Sequence, residues 1–132
     1  TAVTYSQFFT GGSTSSSQCT AWNSFRSSLV GTFNSITLKG SNDMTGHICT
    51  GATANTIVTA LRNGSTGSWS CGGRTWRIGT CGSGIEITTT SSICGCNTGY
   101  TVRPCIGNSN WGGINSATCS AGSQTMIVEV GY

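Results

Sequence analysis

Few side chains in this chain could do acid–base chemistry. They are His47 and the carboxylates Asp43, Glu86 and Glu129. General acid–base catalysis needs a titratable group held against its substrate, and nucleophilic catalysis needs a nucleophile with a base in reach. The run Ser-Asn-Asp-Met-Thr-Gly-His (41–47) sets Asp43 near His47 in what reads as a loop. A surface turn explains that spacing equally well. Glu86 and Glu129 fall at outward-looking strand positions, where a carboxylate mainly aids solubility. No nucleophile–base pair emerges, so no catalytic residue is assigned and no enzyme is expected.

Eight cysteines, at 19, 49, 71, 81, 94, 96, 105 and 119, offer the second kind of chemistry. An even number spread over a Gly/Ser/Thr-rich chain reads as a disulfide framework formed in an oxidising compartment. Zinc is the rival reading. Cys94-Gly-Cys96 is one residue short of the usual paired-ligand spacing, no second pair matches it, and His47 is the one histidine. Disulfides are therefore expected, with no metal and no cofactor. Eight cysteines allow many pairings, and the spacing selects none of them.

Two surface features could involve sugars. Trp111 follows Asn108-Ser109-Asn110 and precedes two glycines. Amide side chains beside an exposed indole suit a glycan-binding loop. A tryptophan covering the edge of the core, its N–H bonded to a loop carbonyl, has the same sequence. Asn63-Gly64-Ser65 is the one N-glycosylation triplet, and such triplets also arise by chance in a chain rich in Asn and Ser. The serines at 15–17 and the run 88–92 could carry O-linked sugars.

These residues must be positioned by a chain of 132 residues, a length that fits one domain. Only 7% of residues are charged, and Ser, Thr and Gly make up almost half of the sequence. Ordinary soluble proteins carry roughly 25% charged residues. A polar, nearly uncharged surface suits β-structure, contact between identical subunits, or sugar-rich surroundings. The net charge of +3 comes from scattered Lys and Arg, with no basic run, so a nucleic-acid partner is not expected. No apolar stretch approaches the roughly 20 residues that span a bilayer. The first residue is Thr rather than Met, which is expected of a secreted, extracellular protein after signal-peptide removal. A start chosen for expression gives the same beginning.

Residues 1–10 read as a strand, with Val3, Tyr5 and Phe9 on one face and Phe8 on the other. Residues 11–17, Gly-Gly-Ser-Thr-Ser-Ser-Ser, have the composition of a flexible linker. A helix is expected over 18–30, capped by Ser17, with Cys19, Trp22, Phe25, Arg26 and Leu29 recurring at helical spacing. Residues 33–39 read as a strand. A second helix is expected over 53–62, with Thr53 as N-cap, an apolar stripe of Ala54, Ile57, Val58 and Leu61, and Gly64 just past its end. From 68 onward the pattern is β. Trp69 and Trp76 read as core, 98–105 as a strand and 106–122 as a long ordered loop. Residues 123–132 form the cleanest strand, with Met126, Val128 and Val130 on one face.

The chain thus divides into an N-terminal arm (1–10), a linker (11–17) and one globular β-rich domain (18–132). The arm can pair inside its own domain as a first strand, or it can leave and complete a neighbour's sheet. Seven linker residues reach up to about 25 Å when extended. Donor and acceptor would then be different surfaces, a heterologous contact that propagates into a filament. Val3, Tyr5, Phe8 and Phe9 are the expected donor residues. The C-terminal strand, with Met126, Val128 and Val130, is the expected acceptor edge.

With those features in place, the chain resembles a group of secreted bacterial and environmental proteins. The resemblance rests on Thr4-Tyr5-Ser6-Gln7, on Gln18-Cys19-Thr20-Ala21-Trp22, on the stretch from Gly99 to Gly113, and on Ser123-Gln124-Thr125-Met126. It implies helical, pilus-like fibres assembled by donor-strand exchange into an immunoglobulin-like domain. Eight cysteines and two helices set this chain apart from chaperone–usher pilins. The expected fold is α+β and β-dominated: an antiparallel immunoglobulin-like sandwich with two short helices at its side, stapled by disulfides. The expected function is a structural subunit that polymerises with copies of itself. A secreted carbohydrate-binding module using Asn108, Asn110 and Trp111 is the alternative, and a small hydrolase the third reading.

Overall fold

Period-two apolar alternation in the sequence builds two antiparallel sheets in the computed structural model of the chain. Described are residues 4–10, 16–40, 43–82, 84–89, 92–94, 99–105, 112–114 and 125–132, with the backbone alone at 4–10, 43, 112–114 and 125. The first sheet has the order β1 (Thr4–Thr10), β9 (Thr125–Gly131), β2 (Ser35–Gly40), β3 (Asp43–Thr50). The second runs β4 (Gly67–Cys71), β5 (Arg74–Cys81), β6 (Gly84–Thr88), β7 (Tyr100–Val102), β8 (Gly112–Ile114). The β-dominated, two-helix expectation holds at this level.

In the first sheet, Ile36, Leu38 and Cys49 share a buried face with Met126, Val128 and Val130. Trp76, Ile78, Ile87, Tyr100 and Val102 supply the second sheet's share of one continuous core. Helix α1 (Ser16–Ser28) adds Trp22 and Phe25, with Leu29 just beyond it, and α2 (Ala52–Asn63) adds Ile57, Val58 and Leu61. α2 packs on β2 and β3 of one sheet and on β4 and β5 of the other. Both helices bury apolar residues in the core, and α2 contacts strands of both sheets.

Several boundaries differ from the sequence expectation. α1 starts at Ser16, so Ser16 and Ser17 are helical rather than linker and cap. α2 starts at Ala52 after Gly51, which caps it without a side-chain bond, and Thr53 lies inside the first turn. The expected loop around Asp43 and His47 is strand β3, bulged where it passes β2, with Gly46 at φ +68°. Within the strand expected over 98–105, the described residues form β7 over Tyr100–Val102. Gly72 and Gly73 form the two-residue turn between β4 and β5, with φ +61° and +74°. Such turns need two residues of positive φ. A Cβ on Gly72 would also lie 2.5 Å from the Ile48 carbonyl oxygen, so the turn abuts β3 beside the Cys49–Cys71 disulfide.

Candidate functional site

The N-terminal strand and the edge that receives it form the most distinctive arrangement. Of the two courses open to the arm, the single chain takes the first: β1 pairs with β9 of its own domain in unbroken register, with Tyr5 opposite Val130, Gln7 opposite Val128 and Phe9 opposite Met126. Directly opposed positions of an antiparallel pair lie on the same face of the sheet. Positions 5, 7 and 9 therefore share the face on which Met126, Val128 and Val130 are buried. Among the described residues β1 is a terminal strand with a single ladder, whereas β9 is held on its other side by β2. Without a strand in the β1 position, β9 would be an open edge carrying buried apolar residues. Val3 and residues 11–15 of the linker lie outside the described residues.

Beyond the linker the chain is fastened. Cys19, in the first turn of α1, is bonded to Cys105 beyond β7. Closing a loop of 86 residues removes unfolded-state entropy worth about 4–5 kcal/mol in the chain-entropy account. Trp22 donates its indole N–H to the Ile85 carbonyl at 3.1 Å. Arg26 Nε donates to the Leu61 carbonyl at 2.8 Å, placing a cation on the last turn of α2. Burial lowers the Arg26 pKa from its ordinary value, and the guanidinium stays protonated. The arm is thus attached to an anchored helix, and no described disulfide reaches the arm itself.

Cys49–Cys71 and Cys81–Cys94 complete the described disulfides. Cys96 and Cys119 lie outside the described residues. With the other six cysteines consumed, oxidation of all eight within one chain pairs Cys96 with Cys119. Alkylation of the unreduced native protein should therefore add no label, and a digest should yield the 96–119 linked peptide. Two labelled thiols would contradict this.

Three of the four acid–base groups, Glu86, Glu129 and His47, make structural contacts. Glu86, expected to face solvent, is fully buried and bonds Arg103 at 2.9 Å. Its second oxygen accepts the Cys94 backbone N–H at 3.0 Å. The physical reason is that residues 93 and 94 and Arg103 cover the outer face of the second sheet around Glu86. Glu86 lies opposite Gly79, and Ile93 packs so close over Gly79 that a Cβ there would sit 2.8 Å from it. Thr88 lies on the same face and shares a 2.9 Å hydroxyl contact with Thr101. Glu129 faces outward as expected and pairs with Lys39 at 2.6 Å. His47 Nδ1 lies 2.8 Å from the Thr89 hydroxyl, and its ring meets the Tyr100 ring edge-on, linking the two sheets. Asp43 is on the same strand as His47, on the far side of the bulge.

Sequence reasoning missed Arg103 as the partner of Glu86; the signal available was a lone arginine in the Thr-Val-Arg-Pro-Cys run. Trp76 is buried as expected, its N–H bonded to the Cys71 carbonyl, and Trp69 is half-buried against the core. Asn108, Asn110 and Trp111 lie outside the described residues. Among the described residues no cluster of His, Cys, Asp or Glu could hold a metal ion. No helix of the described residues is long and apolar enough to cross a membrane. Comparison with protein-family models, curated proteins and solved structures finds no match.

Proposed function

We propose that the chain is a non-catalytic structural subunit of an extracellular, pilus-like filament, polymerising when the N-terminal strand of one copy takes the β1 position of the next. The observation that carries this reading is the β1–β9 ladder. Among the described residues β1 is a terminal strand with one partner, it sits on a Gly/Ser-rich tether, and it fills the edge of a strand whose Met126, Val128 and Val130 are buried in the core. An open apolar edge is an association hazard. The edge can be filled by the chain's own arm, giving a closed monomer, or by a neighbour's arm in the same register, giving a polymer. The two states make the same ladder, so their balance is set by linker strain and concentration rather than by new contacts.

The immunoglobulin-like character of the sandwich belongs to this proposal. So does a cell-surface location, with which the three disulfides are consistent. Engagement of Glu86, Glu129 and His47 in structural contacts supports the non-catalytic reading. The partner is another copy of the chain, without nucleic acid. Negative-stain microscopy of native material is the test. Regular filaments are expected; discrete particles that a sugar column retains would overturn the reading in favour of the carbohydrate-binding alternative.

A further inference from the structure

We propose that Asn63 carries an asparagine-linked oligosaccharide. Asn63-Gly64-Ser65 is the one acceptor triplet in the chain, and the structure places it in a turn suited to modification. Asn63 is the last residue of α2. Gly64, at φ 70° and ψ 21°, donates its N–H to the Leu61 carbonyl at 3.3 Å, and Ser65 donates to the Ala60 carbonyl at 2.9 Å. This pair of bonds is the Schellman closure of a helix. It satisfies the backbone of the triplet from within, so none of it has to reach a neighbouring element. The side chains are left outside: Arg62, Asn63, Ser65 and Thr66 are all exposed. Neither the Asn63 amide nor the Ser65 hydroxyl has a partner among the described residues.

Two further observations point the same way. The disulfides are consistent with an oxidising compartment, the kind in which surface triplets of secreted proteins are glycosylated. The chain is also poor in charge, at 7% of residues, and of its carboxylates Glu86 is buried against Arg103 and Glu129 is paired with Lys39. A hydrated glycan would supply solubility that charge does not.

The chemistry is a group transfer from a lipid-phosphate-linked oligosaccharide. Asn63 Nδ2 forms a bond to the anomeric carbon of the first sugar, and the bond from that carbon to the phosphate oxygen breaks. The lipid phosphate leaves with the electron pair, and the amide proton passes to a base of the transferase. The Ser65 hydroxyl is the second element that the transferase reads.

The test uses protein from its native source, reduced, alkylated and cut with trypsin. Cleavage after Arg62 and Arg74 releases residues 63–74 as one peptide. The expected result is that this peptide, or its version uncut at Arg62, carries an oligosaccharide mass that fragmentation assigns to Asn63. Ser65→Ala made in the same organism should lose the mass, and Ser65→Thr should keep it. An unmodified Asn63 throughout the native population would overturn the proposal, and so would a sugar assigned to Ser65 or Thr66. The result does not depend on whether the protein forms filaments.

Discussion

Deleting residues 1–10 should abolish filaments and leave a subunit that binds the free 1–10 peptide. The deletion removes the single ladder on one side of β9 and leaves that strand as an open edge. Positions 5 and 9 of the arm oppose Val130 and Met126, on the face that joins the core. Fully burying a Tyr- or Phe-sized side chain is worth roughly 1.5–3 kcal/mol, and each ladder hydrogen bond adds a net gain of about 1 kcal/mol. Against this stands the cost of ordering the arm, about 1–2 kcal/mol of backbone entropy per residue. The peptide in trans should therefore bind measurably but weakly, and raise the thermal midpoint of the truncated subunit in a concentration-dependent way. If the helix after the linker were loosely held, the arm's departure would be costly, because that helix would unravel with it. Here α1 is tied down by the Cys19–Cys105 bond and by Trp22 in the core, so only residues 11–15 need to change course. Six Cα–Cα steps from Thr10 to Ser16 reach about 20 Å when extended. Truncated protein that still builds the same filaments would contradict the prediction.

The second large effect concerns Arg103. Replacing it with Met should cost about 3–5 kcal/mol of stability, because the Glu86 carboxylate would remain buried without its counter-charge. The double replacement Glu86→Leu with Arg103→Met should recover much of that loss, since a buried pair replaced as a unit by apolar groups is often close to neutral. The Cys94 N–H that Glu86 accepts would lose its partner in the double variant, so recovery should be incomplete. Urea titration of the oxidised proteins measures both. An Arg103→Met variant within about 1 kcal/mol of the parent would contradict the account of this face. Substitution of Glu86 alone should likewise act on folding, by leaving Arg103 buried without its counter-charge.

Some of this architecture was legible in the sequence. β9 was readable because Met126, Val128 and Val130 alternate with Ile127 and Glu129, and α2 because Ala54, Ile57, Val58 and Leu61 recur along one stripe. β3 was not, since Asn-Asp and Gly-His are turn chemistry, and the strand is held by β2 and the Cys49–Cys71 bond rather than by its own propensity. Its outer residues Met44 and Ile48 are 57% and 51% exposed, so no apolar alternation marks it. Glu86 misled because Ile-Glu-Ile reads as a half-buried strand, and only the packing of residues 92–94 over the outer face closes the other half. The site itself was half legible. The two strands that pair, β1 and β9, could be read from alternation. The anchor at Cys19–Cys105 depends on a pairing that spacing could not select.

The most direct measurement of strand exchange asks which copy supplies β1. Thr10 and Thr125 are opposed in the ladder, at the Cα separation of about 4.5–5.5 Å that a disulfide tolerates. A Thr10→Cys, Thr125→Cys variant should be purified, brought to assembling concentration and oxidised, then run on a denaturing gel without reductant. Strand exchange predicts a ladder of covalent dimers, trimers and longer species that collapses to monomer on reduction. Cross-linked monomer alone would mean that each arm stays on its own domain, and the proposed polymerisation by strand exchange would be wrong.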